Sequence, residues 1–238
     1  MNLTAKTVRE LAVEMPAATR VFERLGIDYC CGGQRSLEEA CSAANLPLEE
    51  VLDRLQSVAA SVKKDEPKWP TGPLAELIDH IKNKHHKYTR DEIARLHPLF
   101  EKVCSTHGLN HGELFQARKE FCALAEELGT HMMKEEMVLF PYIERMEESR
   151  IEGGPILPAP FGTVRNPVAM MVHEHDSAAE LLRRLRALTN DYVVPANACL
   201  SYTTLYSALA EFERDLHEHI HLENNILFPR AIEMEQGC

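Results

Sequence analysis

The sequence predicts an all-α fold: a small N-terminal helical domain followed by an antiparallel four-helix bundle. Two observations carry that expectation. The first is an internal repeat. Residues 131–141 read HMMKEEMVLFP and residues 219–229 read HIHLENNILFP, both H-x-x-x-E-x-x-x-L-F-P, with the two histidines and the two glutamates each 88 residues apart. The second is the helical spacing of apolar residues through both copies. A His and a Glu four residues apart lie on one helix face. That face continues as Leu124, Leu128, His131, Glu135, Val138 and Tyr142 in the first copy. In the second it runs Leu205, Leu209, Phe212, Leu216, His219, Glu223 and Ile226. The polar pair sits in the middle of an apolar stripe both times, so it faces a core.

Residues 1–62 supply the small domain. Thr7-x-x-Glu10 is a capping box opening a helix through Glu14, Pro16 suits the first turn of a second helix, and Gly26 suits its end. Ser36-x-x-Glu39 opens a third. Leu48, Val51, Leu52, Leu55 and Val58 give a fourth its apolar face. Between the second and third lies Asp28-Tyr29-Cys30-Cys31-Gly32-Gly33. Adjacent cysteines stand about 3.8 Å apart at Cα, below the usual disulfide range, so a bridge between them would be strained. Two thiols on a glycine-rich loop ahead of a helix read as a reactive or ligand pair, and buried packing cysteines are the alternative. The seven cysteines, at 30, 31, 41, 104, 122, 199 and 238, are odd in number and irregularly spaced. That is no disulfide framework, and reduced thiols are expected.

Residues 63–73, with three prolines and a charged start, form a linker by composition. The bundle then occupies 74–238. Its helices are expected from about Leu74 to Leu99, Leu114 to Glu147, Val168 to Leu188 and Ser201 to Ile232, which makes a duplicated helical hairpin. The third helix places Met171, His175, Ala178, Leu182 and Leu185 on one stripe. If the hairpin is duplicated, the first helix needs an equivalent of His175. Shifting back by 89 residues gives His86, whereas the local stripe of Leu74, Ile78 and Ile81 favours His85.

Four helices thus offer His86 or His85, His131 with Glu135, His175, and His219 with Glu223. An unpaired carboxylate in an apolar core costs several kcal/mol, so a cation must compensate. A buried His–Glu hydrogen bond would explain one copy; two copies in register favour a metal site. Six nitrogen and oxygen ligands exceed the four of a structural zinc and lack its thiolates. Two metal ions bridged by the two glutamates use all six, and imidazole with carboxylate suits iron, manganese or zinc. Glu127, one turn before His131, and Glu174, next to His175, are candidate carboxylates for passing a cation; ordinary solvated surface glutamates are the alternative.

H-x-x-x-E on two helices with a lone histidine on each of the others resembles the hemerythrin-like bundle and differs from the E-x-x-H of ferritin-like bundles. The full arrangement is D-Y-C-C-G-G, then L-I-D-H-I and H-H-x-Y, H-M-M-K-E-E-x-x-L-F-P, E-H-D, and H-x-x-L-E-N-N-x-L-F-P. It is similar to the iron-sulfur cluster repair di-iron proteins, the RIC family of YtfE/ScdA type, over nearly the whole chain. The resemblance places the first ligand at His86, where this chain has His85 in place of the family's tyrosine. It places the others at His131, Glu135, His175, His219 and Glu223, and the cysteine pair at Cys30 and Cys31. It implies two iron ions per chain bridged by the glutamates, and a cytoplasmic protein that helps restore iron-sulfur clusters damaged by nitrosative or oxidative stress, as an iron donor. Damaged iron-sulfur proteins, and nitric oxide or oxygen as small ligands, are the implied partners, and a second copy of the chain is a further candidate. The alternatives on the same ligands are reduction of nitric oxide, or its binding or that of oxygen by a carrier or sensor.

The remaining sequence excludes other classes. A net charge of −11 opposes sequence-independent nucleic-acid binding and gives little attraction to anionic membranes. The N-terminal MNLTAKTVRELAVEM has no apolar core behind its charges, and no run approaches the ~20 apolar residues of a membrane helix.

Overall fold

The computed structural model describes residues 3–59, 69–155 and 158–237. Four short helices come first: α1 (Val8–Glu14), α2 (Ala17–Leu25), α3 (Leu37–Ala43) and α4 (Leu48–Ala59). Both predicted capping boxes are formed, Thr7 with Glu10 and Ser36 with Glu39, each side chain accepting from the other's backbone N–H. Gly26 ends α2 at φ +66°, a left-handed conformation that a Cβ would strain. Val8, Leu11, Phe22, Leu37, Val51 and Leu55 fill this domain's own core.

The bundle consists of four long helical rods, three of which contain a π-helical turn. The first is α5 (Leu74–His80), a π turn (Ile81–His86) and α6 (Lys87–His107). The second is α7 (Glu113–Lys134), a π turn (Glu135–Leu139) and α8 (Phe140–Glu152). The third is α9 (Arg165–Leu188), and the fourth is α10 (Leu200–Leu222), a π turn (Glu223–Leu227) and α11 (Phe228–Gln236). α6 packs along α10 and α7 along α9. No strand occurs among the described residues.

Two expectations are corrected here. The first rod continues past Leu99 to His107, with Pro98 inside it. Val138 does not face the core: it is 45% exposed, while Leu139 is 1% exposed. Hydrogen bonds reaching five residues back widen the turn at Glu135–Leu139 and move the stripe on by one position. An α-helical register cannot foresee that shift. The linker expected at 63–73 lies outside the described residues for 63–68. Its remainder is fastened to the bundle, with Arg230 donating to the carbonyls of Trp69 (2.7 Å) and Gly72 (2.6 Å).

The bundle core is divided. Phe100, Phe121, Leu124, Leu182, Leu205 and Phe212 belong to one apolar cluster. Leu77, Ile78, Phe140, Ile143, Val168 and Phe228 belong to another. The histidines and glutamates form a polar layer where the rods carry their π turns. Leu-Phe-Pro closes each repeat for a related reason. Pro141 and Pro229 stand in the first turns of α8 and α11, where their missing N–H releases the carbonyl four residues earlier. For Pro229 that carbonyl belongs to Asn225, and Arg9 of the N-terminal domain donates to it at 3.2 Å.

Candidate metal centre

The six residues that sequence and resemblance bring forward converge in the polar layer. His86, Glu135, His219 and Glu223 form one group, and His131, Glu135, His175 and Glu223 a second; within each, one ligand atom per residue lies within 4.8 Å of all the others. The groups share both glutamates. Glu135 Oε2 stands 3.4 Å from His86 Nε2 and 3.3 Å from His131 Nε2, between the groups. Glu223 turns Oε1 to His219 Nε2 at 3.0 Å and Oε2 to His175 Nε2 at 3.1 Å. All six side chains are buried.

The π turn at Ile81–His86 settles how the first helix contributes. Adjacent residues on an α-helix diverge, but in the widened turn His85 and His86 are both fully buried. His86 enters the paired groups. His85 lies behind them, its Nδ1 3.1 Å from Asp215 Oδ2 and its ring flat against that of His219, with centroids 5.7 Å apart.

Hydrogen bonds at Nδ1 orient three of the four histidines in the groups. His86 Nδ1 meets Glu136 Oε1 at 2.7 Å, His131 Nδ1 meets Glu174 Oε2 at 2.9 Å, and His175 Nδ1 meets Asn224 Oδ1 at 2.8 Å. Arg90 and Lys134 hold Glu136 and Glu174 in turn. His219 Nδ1 has no partner. Periodicity alone had missed Glu136 and Asn224, although the repeat marks both: each follows its half's shared glutamate and serves the lone histidine of that half. Likewise Phe140 stacks on His86 and Phe228 on His175, so the phenylalanine of Leu-Phe-Pro walls the same ring in each half. Glu127 lies outside both groups, and its carboxylate accepts from Ser177 at the surface.

The donor set fits metal ions. In a neutral imidazole a proton given to an acceptor at Nδ1 leaves a lone pair on Nε2. His86 Nε2 faces His219 Nε2 at 3.1 Å, and His175 Nε2 faces His131 Nε2 at 3.0 Å. Neighbouring ligands each about 2.1 Å from a common ion stand about 3.0 Å apart at right angles. Both oxygens of Glu135 and Oε2 of Glu223 are buried with no hydrogen-bond partner. Burial opposes protonation of His86 and His131, yet the two carboxylates overcome it, pushing His86 up to about 10 and His131 up to about 9. Burial likewise opposes ionisation of Glu223, but His219, His175 and His86 hold its carboxyl well below the usual range. Two negative charges in an apolar bundle thus demand positive charge from protons or from metal.

The cysteine loop is seated against this layer. Asn224 Nδ2 donates to the Cys30 carbonyl at 3.2 Å while its Oδ1 holds His175, and Asn225 Nδ2 donates to the Tyr29 carbonyl at 2.9 Å. Cys30 packs into the bundle's core, its Sγ 3.8 Å from that of Cys31. Its hydrogen bond with Cys31, its burial and the Asp28 carboxylate push the Cys30 thiol well above the ordinary thiol value. Cys30, Cys31, Cys41, Cys104, Cys122 and Cys199 are free thiols.

Comparison with known proteins agrees with this geometry. Residues 4–59 match ScdA_N, a domain of unknown function, and residues 76–231 match the hemerythrin HHE cation binding domain. A probable iron-sulfur cluster repair protein of Haemophilus influenzae is 37% identical, with 98% of this chain and 99% of that protein covered. The iron-sulfur cluster repair protein YtfE of Edwardsiella ictaluri is 36% identical over 98% of this chain and 99% of its own. YtfE of Escherichia coli is 37% identical over 94% of each. With a cation-binding bundle matched across its site and relatives aligned over almost their full length, the chain belongs to the hemerythrin HHE family, among the YtfE/ScdA-like iron-sulfur cluster repair proteins.

Proposed function

We propose that this protein repairs damaged iron-sulfur clusters in the cytoplasm by holding two iron ions at His86, His131, Glu135, His175, His219 and Glu223 and yielding iron to the damaged site. The observation that carries the reading is the pair of facing histidine couples that share two buried carboxylates, of which both Glu135 oxygens and Glu223 Oε2 lack a hydrogen-bond partner. Each position offers two imidazoles and a share of two carboxylates, fewer donors than the six that iron accepts, so neither ion is saturated by protein. Iron bound there supplies a releasable cation and a redox-active centre for small ligands. The names of the relatives favour iron over manganese or zinc, which the donor types alone do not separate. They also supply the proposed clients, damaged iron-sulfur proteins.

The chain's own residues divide the work. Glu136, Glu174 and Asn224 fix imidazole orientation, and Phe140 and Phe228 keep water from two of the rings. Cys30 and Cys31, joined through Asn224 to His175, stand as receivers of a released ferrous ion or of nitric oxide. Among the described residues no helix is long and apolar enough to cross a membrane. The test is iron transfer from the purified, iron-loaded protein to a cluster-depleted enzyme, run beside anaerobic nitric oxide consumption with a reductant. Reactivation of the enzyme by the wild type, and its loss in a Cys30→Ala/Cys31→Ala protein that still holds two irons, is the expected result. Rapid nitric oxide consumption without reactivation would replace this reading with reduction or binding of nitric oxide.

A further inference from the structure

A second set of metal-ligating side chains gathers beside the buried groups. One ligand atom each from His85, Asp215 and Glu218 lies within 4.8 Å of the other two. His85 is fully buried, Asp215 mostly buried and Glu218 half exposed, so the set runs outward from the core. At its outer end Asp215, Glu218, Lys84 and His80 line a cleft of about 700 Å³ between the N-terminal domain and the bundle. At its inner end the His85 ring lies flat against His219, a member of the first buried group.

We infer that His85, Asp215 and Glu218 form a third, exchangeable divalent-cation site, placed where metal passes between the cleft and the buried centre. One imidazole and two carboxylates, with no thiolate, suit the same class of ions as the buried donors. A second imidazole is close, for the His80 ring meets His85 edge-on with centroids 5.5 Å apart. Lys84 now donates to Glu218 at 3.0 Å. That pair is half exposed, and ion pairs of this kind are weak enough for a divalent ion to displace the ammonium. The location matches the weaker part of the centre. His219 has no acceptor at Nδ1, so it is the least firmly oriented of the four imidazoles and the one from which metal leaves most readily. Repeat symmetry also singles out this corner: 89 residues on from His85 stands Glu174, which holds His131. Where one half uses a carboxylate to fix a ligand, the other has an imidazole facing two carboxylates and the cleft.

The site stands on its own residues; its role in metal passage rests on the di-metal reading above. The test is equilibrium dialysis of the full-length, iron-loaded protein against Mn²⁺ under anaerobic conditions, with iron and manganese counted separately. One manganese per chain should bind beyond two retained irons. Asp215→Asn/Glu218→Gln should weaken that manganese by about tenfold or more while both irons stay. Failure of the wild type to take up manganese, manganese gained only as iron is lost, or unchanged affinity in the double variant would each overturn the site. Glu135→Ala separates the two readings, since it should empty the buried centre and leave the cleft manganese bound. For passage, the double variant should surrender iron to a chelator several-fold more slowly than wild type; an equal rate would overturn the transit role.

Discussion

The two halves of the centre come from one repeated pattern, and they are not equally braced. At the His131–His175 position both rings have an acceptor at Nδ1, Glu174 for one and Asn224 for the other. At the His86–His219 position only His86 does, through Glu136, and His219 is backed by the face of His85. An acceptor at Nδ1 fixes the tautomer and raises the basicity of Nε2, so on the proposed di-metal reading the first position should hold its ion more firmly than the second. The braced position is also the one tied through Asn224 to Cys30, whereas the other borders the cleft toward Asp215 and Glu218. Duplication supplied two like sites, and a few flanking residues made them unlike.

The comparison breaks most completely at what the halves share. Glu135→Ala and Glu223→Ala should each lower bound metal from two ions to fewer than one, because either carboxylate serves both positions. Elemental analysis of the purified variants decides, and two ions retained in both would refute the shared-ligand arrangement. Next in size, His86→Ala should lose one ion and keep the one at His131–His175, while His85→Ala keeps both buried ions. The reverse pattern would mean that His85 is the ligand.

Smaller changes sharpen the asymmetry. Glu136→Ala leaves the His86–His219 position with no Nδ1 acceptor at all, and competition with a chelator should show a loss toward the upper end of about 10–100-fold for one ion. Glu174→Ala leaves Asn224 in place at the other position, so its loss should fall near the lower end of that range. In the wild type, the first ion to leave should be the one that Glu136→Ala weakens. Equal effects from the two variants would mean that bracing does not distinguish the halves.

Much of this was legible in the chain. The capping boxes at Thr7 and Ser36, the glycine ending α2 and the four rods follow from local rules, since each depends on a few neighbours and on helical spacing. His131, Glu135, His175, His219 and Glu223 stood out because they interrupt apolar stripes in register, and a charged group in a stripe needs a partner. Val138 was not legible, and helical periodicity pointed to His85 where the repeat and the resemblance pointed to His86. Both positions depend on π turns, which change the register at the points where ligands must converge.

The sequence by itself determined the helices, the duplication and the chemical character of the donors, because these rest on residue type and on spacing within one segment. Only the tertiary structure decided what His85 faces, which carboxylate or amide orients each ring, and that the Cys30–Cys31 loop is seated against the bundle. Those outcomes depend on contacts between residues such as Asn224 and Cys30, or His85 and Asp215, that lie 194 and 130 positions apart. No local rule reaches that far. Closure of four rods around two buried charges is what brings them together.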